Sequence, residues 1–271
     1  MTTNLKCKVK PPGRVILAGA GPGDPELITL KLARALAQAD VIIADRLVHP
    51  RIIDRHASPQ AEIIIAGKQG YHSASARQDD INELLVEKAL PGKLVLRLKG
   101  GDVAIFSNVW DEILALKKAN IPYEIIPGIT AASGASAYAG IPLTARHLAS
   151  GVRFLTVSES SPLSHAAWEE LAHTTDTLVF YMCVAHMEQI ISQLSHFSLT
   201  DKPLLCIEQA TTIHQKVSLG RLKQNISDWL PPIISTPALL IVGEVGQLHH
   251  TYRWLRSEET PGSVFTSCNT I

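Results

Sequence analysis

Apolar residues fall in short runs that stop at glycine or aspartate, and between those runs they recur at helical spacing. An apolar run of about four residues bounded by turn residues reads as a strand buried on both faces; recurrence every three or four residues reads as a helix with one buried stripe. On that basis residues 15–18 form a strand, followed by the loop Gly19-Ala20-Gly21-Pro22-Gly23-Asp24 and a helix over Leu30–Gln38. Further strands are predicted at residues 41–44, 63–66, 94–98 and 123–126, with helices at 81–88 and 110–119. After the small-residue stretch 130–140 a second set begins, with strands at 153–157, 177–181, 204–208 and 238–242. Strands alternating with helices on short connections predict an α/β fold of two α/β domains with mainly parallel sheets. The boundary is placed within residues 127–129, giving domains 1–128 and 129–250, and residues 251–271 read as a flexible tail.

At 271 residues the chain has the length of two ordinary compact domains. Hydrophobic residues make up 46% and charged residues 18%, which excludes a disordered chain. The 25 basic residues equal the 25 acidic ones, so no bulk field favours nucleic acid or an anionic membrane. No apolar stretch approaches the roughly 18 residues of a membrane span, and the basic N-terminus is not followed by a signal-peptide core. Cys7, Cys183, Cys206 and Cys268 form no C-x-x-C pair, which argues against structural zinc and a disulfide framework. The histidines, His249-His250 included, show no metal-ligand spacing, so no metal is expected. A cytoplasmic, reduced protein is the simple reading.

In open parallel sheets ligands collect at the carboxyl ends of the strands. Here those ends carry Gly19 to Asp24, Asp45, Gly67-Lys68, Gly100 to Asp102 and Gly128 to Ala131. Glycines let a ligand approach the backbone, whose amides and carbonyls then hold its polar groups. The first loop resembles a dinucleotide fingerprint but has Asp24 where the sixth-place glycine should stand, and Pro22 removes an amide donor. Asp45 stands where a ribose-binding acid would, so a nicotinamide-dependent oxidoreductase stays open as an alternative from another class. No P-loop motif occurs.

The runs VILAGAGPGDPELITLKLARAL, ADVIIADRLV, GKQGYH, RLKGGDVAIF, IPYEIIPGITAASGASAYAGIPLT and TLVFYM resemble the tetrapyrrole methylase family in order and spacing. Within it the chain is most similar to the branch that methylates uroporphyrinogen III. The resemblance implies two α/β domains with S-adenosyl-L-methionine in the interdomain cleft, a homodimer, and twofold methylation of the macrocycle to precorrin-2. By matching position, Pro22, Gly100, Gly101, Asp102, Ile105, Thr130, Ala131, Met182 and Ala210 are implied to bind the cofactor. Asp45 is implied as proton acceptor and Lys68 as proton donor. On residue type alone, Met182 and Ile105 would be core packing, Lys68 a solvated lysine, and Asp45 a turn cap or a partner of Arg46.

A sulfonium is already a strong methyl donor, so such an enzyme must chiefly align donor and acceptor and exclude water. A carboxylate suits removal of the proton that later leaves the macrocycle. Eight substrate carboxylates need cations; Arg46, Arg97, Lys99 and Arg146 are the candidates. The chain departs from the family where GGDVAIFSNVWDE replaces GGDPFIFGRGGEE, so Val103 stands for a proline and residues 107–110 for a glycine- and arginine-containing turn. That leaves a methylase of a later corrin intermediate as the alternative within the family. Larger siroheme-forming members carry a dehydrogenase and chelatase domain for which this length has no room, which leaves siroheme and cobalamin synthesis both open.

Overall fold

The computed structural model describes residues 13–66, 74–255 and 262–265. Internal contacts divide the chain into two units, Met1–Ile129 with Phe265–Ile271, and Thr130–Val264.

In the first unit five strands, β1 (Arg14–Gly19), β2 (Val41–Ala44), β3 (Glu62–Ile65), β4 (Leu94–Lys99) and β5 (Tyr123–Ile126), pair in the order β3-β2-β4-β1-β5. All four pairings are parallel, as the uniformly apolar runs require. Four helices connect them: α1 (Leu30–Gln38), α2 (Pro50–His56), α3 (Ala74–Ala89) and α4 (Val109–Lys118). Thr29 starts α1, its Oγ1 accepting from the Leu32 N–H at 3.1 Å, and Leu32, Ala35 and Leu36 face inward. Strand residues alternate between two cores. Ile16, Ala18, Ile42, Leu96 and Leu98 pack with α1 and α2, whereas Val15, Leu17, Val41, Ile43 and Val95 pack with α3 and α4. Pro50 at its first position and His49 as its cap define α2.

Period-two alternation carries charge into the second of these cores. Arg97 and Lys99 follow Val95 on that face of β4 and are 2% and 4% exposed, and Glu112 of α4 is fully buried opposite them. Glu112 Oε1 accepts from Arg97 Nε at 3.0 Å and from Lys99 Nζ at 2.8 Å. Arg97 Nη1 also donates to the Ile43 carbonyl at 3.3 Å. Burial first, and the nearby Arg97 second, hold the Lys99 ammonium below its ordinary 10.5, with Glu112 opposing both.

The second unit holds β6 (Val152–Thr156), β7 (Thr177–Tyr181), β8 (Pro203–Glu208), β9 (Lys216–Arg221) and β10 (Ala238–Val242), in the order β6-β7-β10-β8-β9. Only β6 and β7 are parallel; β10 runs antiparallel to both β7 and β8, and β9 runs antiparallel to β8. The expectation of a mainly parallel second sheet is therefore corrected. The reason lies in the connections: no α-helix separates β8, β9 and β10, and parallel pairing needs a crossover to bring the chain back. The helices are α5 (Ala131–Tyr138), α6 (His165–His173), α7 (Met187–Phe197) and the short α8 (His249–Tyr252). Helices α6 and α7 cover one face of the sheet and α5 the other, where Ala132, Ala135 and Ala139 meet Val179, Leu205 and Ile241. Most of the small-residue stretch 130–140 is thus a helix whose alanines allow close approach to the sheet. Within the stretch expected as a tail, Trp254 Nε1 donates to the Ala137 carbonyl at 2.8 Å, and the Trp254 ring meets Tyr138 edge-on.

Two predictions follow from the buried polar groups. Glu112→Gln leaves Arg97 and Lys99 facing a neutral amide and should lower the urea-derived unfolding free energy by about 3–5 kcal/mol. A lysine with lowered folded pKa burdens the folded state below that value and is relieved above it. The deficit should therefore shrink as pH rises toward 10.5; a loss under about 1 kcal/mol at neutral pH contradicts the triad's role. The second concerns His49, whose Nδ1 accepts from the Arg51 N–H at 3.1 Å. Burial, then Arg51, holds this imidazole below its ordinary 6.5, so the unfolded chain takes up the proton first. The cap's contribution is whole above pH 6.5 and is lost as pH falls below it. His49→Asn keeps an acceptor, so its urea midpoint should drop less than that of the parent between about pH 7 and pH 5; equal drops would remove His49 from the acid response.

Candidate cofactor and catalytic sites

In the first sheet β1 and β4 are neighbours, yet α1 after β1 and α4 after β4 lie on opposite faces. Their carboxyl ends therefore form a topological switch point, the place where ligands bind in open α/β sheets. The backbone there is unusually close. A β-carbon on Gly19 would lie 2.5 Å from the Gly101 carbonyl oxygen, and one on Gly128 would lie 2.3 Å from the same atom. Gly101, at φ 67°, exchanges two hydrogen bonds with Gly21: its N–H donates to the Gly21 carbonyl at 2.7 Å and its carbonyl accepts from the Gly21 N–H at 3.1 Å. Asp102 closes the assembly, its Oδ1 accepting from Ala104 N–H and its Oδ2 from Gly128 N–H, each at 2.8 Å.

Of the predicted cofactor residues, Pro22, Gly100, Gly101 and Asp102 thus come together at β1 and β4, with Pro22 buried and Ile105 half-buried one turn further on. Asp102 spends both oxygens on the loops it joins, so its role there is to hold the backbone. Asp24 is also occupied: its Oδ1 accepts from Glu26 N–H at 2.8 Å and caps the turn Pro25–Leu27. In the departure from the family pattern Val103 is buried, whereas Trp110 is 66% exposed.

Asp45 follows β2, beside β4, and its N–H donates to the Leu98 carbonyl at 2.8 Å. Its side chain is 35% exposed; Oδ1 accepts from the Arg46 N–H at 2.8 Å, and Oδ2 lies 3.8 Å from Arg97 Nη2. Lys68 lies outside the described residues. The strand before it, β3, pairs with β2, and Ala66 N–H donates to the Ala44 carbonyl at 2.8 Å. Arg97 and Lys99, proposed from sequence as carboxylate-binding cations, are instead buried on Glu112; Arg46 and Arg146 are exposed.

The remaining cofactor residues belong to the second unit. Thr130 caps α5 and Ala131 begins it; Met182 follows β7 and Ala210 follows β8. Both strands are antiparallel to β10, so their carboxyl ends lie at the same edge. Met182 is not core: it is 62% exposed on left-handed backbone at φ 51°. Ala210 sits between Gln209 at φ 45° and Thr211 at φ 66°. Left-handed non-glycine residues are costly and gather where a site demands them. Ala131, Tyr181 and Ala210 share one apolar cluster. Sequence reasoning missed Tyr181, whose hydroxyl stands 2.7 Å from Thr130 Oγ1 and accepts from Ala132 N–H at 3.0 Å. The available signal was a polar-tipped aromatic closing an otherwise apolar strand. It also missed Glu208 and Gln209, each buried with Oε1 lacking a hydrogen-bond partner among the described residues.

Among the described residues no group of three or more His, Cys, Asp or Glu side chains could hold a metal ion, and no helix is long and apolar enough to cross a membrane.

Comparison with known proteins agrees with this geometry. Residues 14–225 match the model of the Tetrapyrrole (Corrin/Porphyrin) Methylases. A siroheme synthase of Acinetobacter baylyi is 45% identical over 258 residues, which cover 94% of this chain and 56% of that protein. A siroheme synthase of Zymomonas mobilis is 42% identical over 247 residues, covering 91% of this chain and 52% of that one. The chain therefore spans about half the length of the curated relatives it matches. The uroporphyrin-III-C-methyltransferase of Thermus thermophilus has a crystal structure that superposes with a TM-score of 0.74 at 33% identity, covering 90% of this chain and 98% of that one. A second crystal structure of the Thermus enzyme, complexed with S-adenosyl homocysteine, gives 0.72 at 34% identity, covering 87% and 94%. With 212 of its 271 residues inside the family model (225 − 14 + 1 = 212), the chain belongs to the tetrapyrrole methylase family.

Proposed function

We propose that this chain is an S-adenosyl-L-methionine-dependent C-methyltransferase that methylates uroporphyrinogen III twice to give precorrin-2. The observation that carries the reading is the set of closely packed, glycine-built strand ends at β1 and β4, in a chain similar along most of its length to a uroporphyrin-III-C-methyltransferase. The fit is physical. Gly100 and Gly101 offer backbone without side chains, and Gly101 stands at φ 67°. In the second unit Thr130, Ala131 and Ala210 are small, and Met182 presents an exposed thioether. When bound, S-adenosyl-L-methionine supplies an activated methyl group.

The chain's own residues then have two tasks. The backbone at the ends of β1 and β4 and, in the second unit, Thr130, Ala131, Met182 and Ala210 are the groups assigned to the donor, and Asp45 accepts the proton released after methylation. Asp45 suits that task because its carboxylate is partly open to solvent while β2 and the Leu98 carbonyl fix its backbone. Lys68 is assigned as the proton donor by the family pattern. The exposed Trp110 favours a second reading of the substrate alone, a later corrin intermediate, because it lies in the segment that replaces the family's glycine- and arginine-containing turn. Supply of siroheme or cobalamin synthesis, a cytoplasmic location and a homodimer belong to the same proposal. Light scattering at micromolar concentration should give twice the chain mass, and a monomer mass removes the dimer.

Calorimetry should find tight binding of S-adenosylhomocysteine and none of a nicotinamide dinucleotide; the reverse would sink the assignment. Asp45→Asn retains the size of the side chain but cannot take the proton, so turnover of uroporphyrinogen III should fall about a hundredfold. Affinity for S-adenosylhomocysteine should stay near that of the parent. Gly101→Val places a branched side chain on left-handed backbone at φ 67°, so affinity should be lost first. Undiminished turnover in Asp45→Asn would take this carboxylate out of the mechanism.

A further inference from the structure

The first N–H groups of a helix have no intrahelical acceptor and need one from outside. At α5 the capping residue Thr130 does not provide it, since its side chain makes no capping bond. The acceptor comes from another element: Tyr181, last residue of β7, receives the Ala132 N–H at 3.0 Å and keeps its hydroxyl 2.7 Å from Thr130 Oγ1. The Tyr181 ring is held in turn by the edge of Phe154, with centroids 5.7 Å apart. The residue after Tyr181 is Met182, whose backbone turns left-handed and exposes its side chain. One phenol therefore ties the start of α5, with Thr130 and Ala131, to the strand end that presents Met182.

The other end of α5 is anchored separately. Trp254 Nε1 donates to the Ala137 carbonyl at 2.8 Å, and His249 Nδ1 donates to the Ala139 carbonyl at 2.6 Å. A β-carbon on Gly140 would lie 2.5 Å from the Tyr252 carbonyl oxygen, so the chain after α8 packs directly on the helix terminus. Both anchors stabilise α5, but only the Tyr181 anchor touches the edge that carries Thr130, Ala131 and Met182.

We propose that the Tyr181 hydroxyl is a positioning residue for the cofactor, setting Thr130 and Ala131 against Met182 at a fixed spacing. This rests on the reading of the chain as an S-adenosyl-L-methionine-dependent enzyme. Without the hydroxyl, the first turn of α5 loses its cap and its link to β7, and the cofactor must restore their spacing at the expense of affinity.

The experiment compares Tyr181→Phe, which keeps the ring, with Trp254→Phe, which removes the donor at the far end of α5. Titration calorimetry with S-adenosylhomocysteine should show binding weakened about tenfold in Tyr181→Phe, the scale of one lost hydrogen bond. KM for S-adenosyl-L-methionine should rise in step while kcat stays within about twofold, because the reacting groups are untouched. Trp254→Phe should lose comparable thermal stability and bind as the parent does. Thr130→Val should weaken binding and add little to Tyr181→Phe, since both remove the same contact. Parent-like affinity in Tyr181→Phe overturns the proposal, and so does equal weakening in Trp254→Phe, which would reduce both contacts to general stability. Failure of the parent protein to bind S-adenosylhomocysteine would instead overturn the functional reading beneath it.

Discussion

The carbonyl oxygen of Gly101 occupies the position that a β-carbon on either Gly19 or Gly128 would need. That contact fixes how closely the chain leaving β4 approaches the ends of β1 and β5, and the arrangement of these loops depends on it. Backbone-to-backbone packing of this kind has no side chain that could adjust, so the three loops take one relative arrangement. Asp102 then follows as a consequence. The loops bring the Ala104 and Gly128 N–H groups within reach of a single carboxylate, which satisfies both. Strand ends assembled from main chain hold their amides and carbonyls in fixed directions, which suits a ligand recognised by its polar groups.

The same sheet shows why charge can lie beneath a site without belonging to it. Strand alternation places Arg97 and Lys99 on the α3 and α4 face, where water cannot follow, and the fully buried Glu112 answers both. Arg97 continues past Glu112 to within 3.8 Å of Asp45, at the edge where burial gives way to solvent. The proposed proton acceptor is therefore the exposed end of a buried charge network whose other members are held by the core. Cations committed in this way are not available to substrate carboxylates, which leaves Arg46 and Arg146 from the original four.

Legibility in the sequence followed locality. The strands at residues 41–44, 123–126, 177–181 and 238–242 match β2, β5, β7 and β10, because a buried strand declares itself by its own apolar run. Strand direction does not: the antiparallel course of β9 and β10 depends on connections without an α-helix, and β9 is a half-buried edge strand with no uninterrupted apolar run. Helix α5 was hidden for a related reason. Its buried residues are alanine, glycine and serine, so hydrophobic periodicity barely registers although its packing is close. At the site, glycine-bearing strand ends were visible as motifs. The burial of Arg97 and Lys99 and the hydroxyl of Tyr181 depend on partners 13, 15, 49 and 51 residues away, which no window reveals.

The two units solve the problem of presenting a strand end in opposite ways. The first uses glycines, which reach left-handed backbone and close approach without steric cost. The second uses Met182, Gln209 and Thr211 at positive φ, where each side chain adds strain that the surrounding structure must offset. Such strain is tolerable at Gln209, where the backbone N–H donates to the Pro237 carbonyl at 2.7 Å and the side chain donates to the Gly262 carbonyl at 2.8 Å. It is tolerable at Met182 because Tyr181, one residue earlier, is fixed by β7 on one side and α5 on the other. A glycine at 182 would relieve the backbone but leave nothing to project from it. An exposed thioether on strained backbone is thus better explained by what it must contact than by the packing of the sheet.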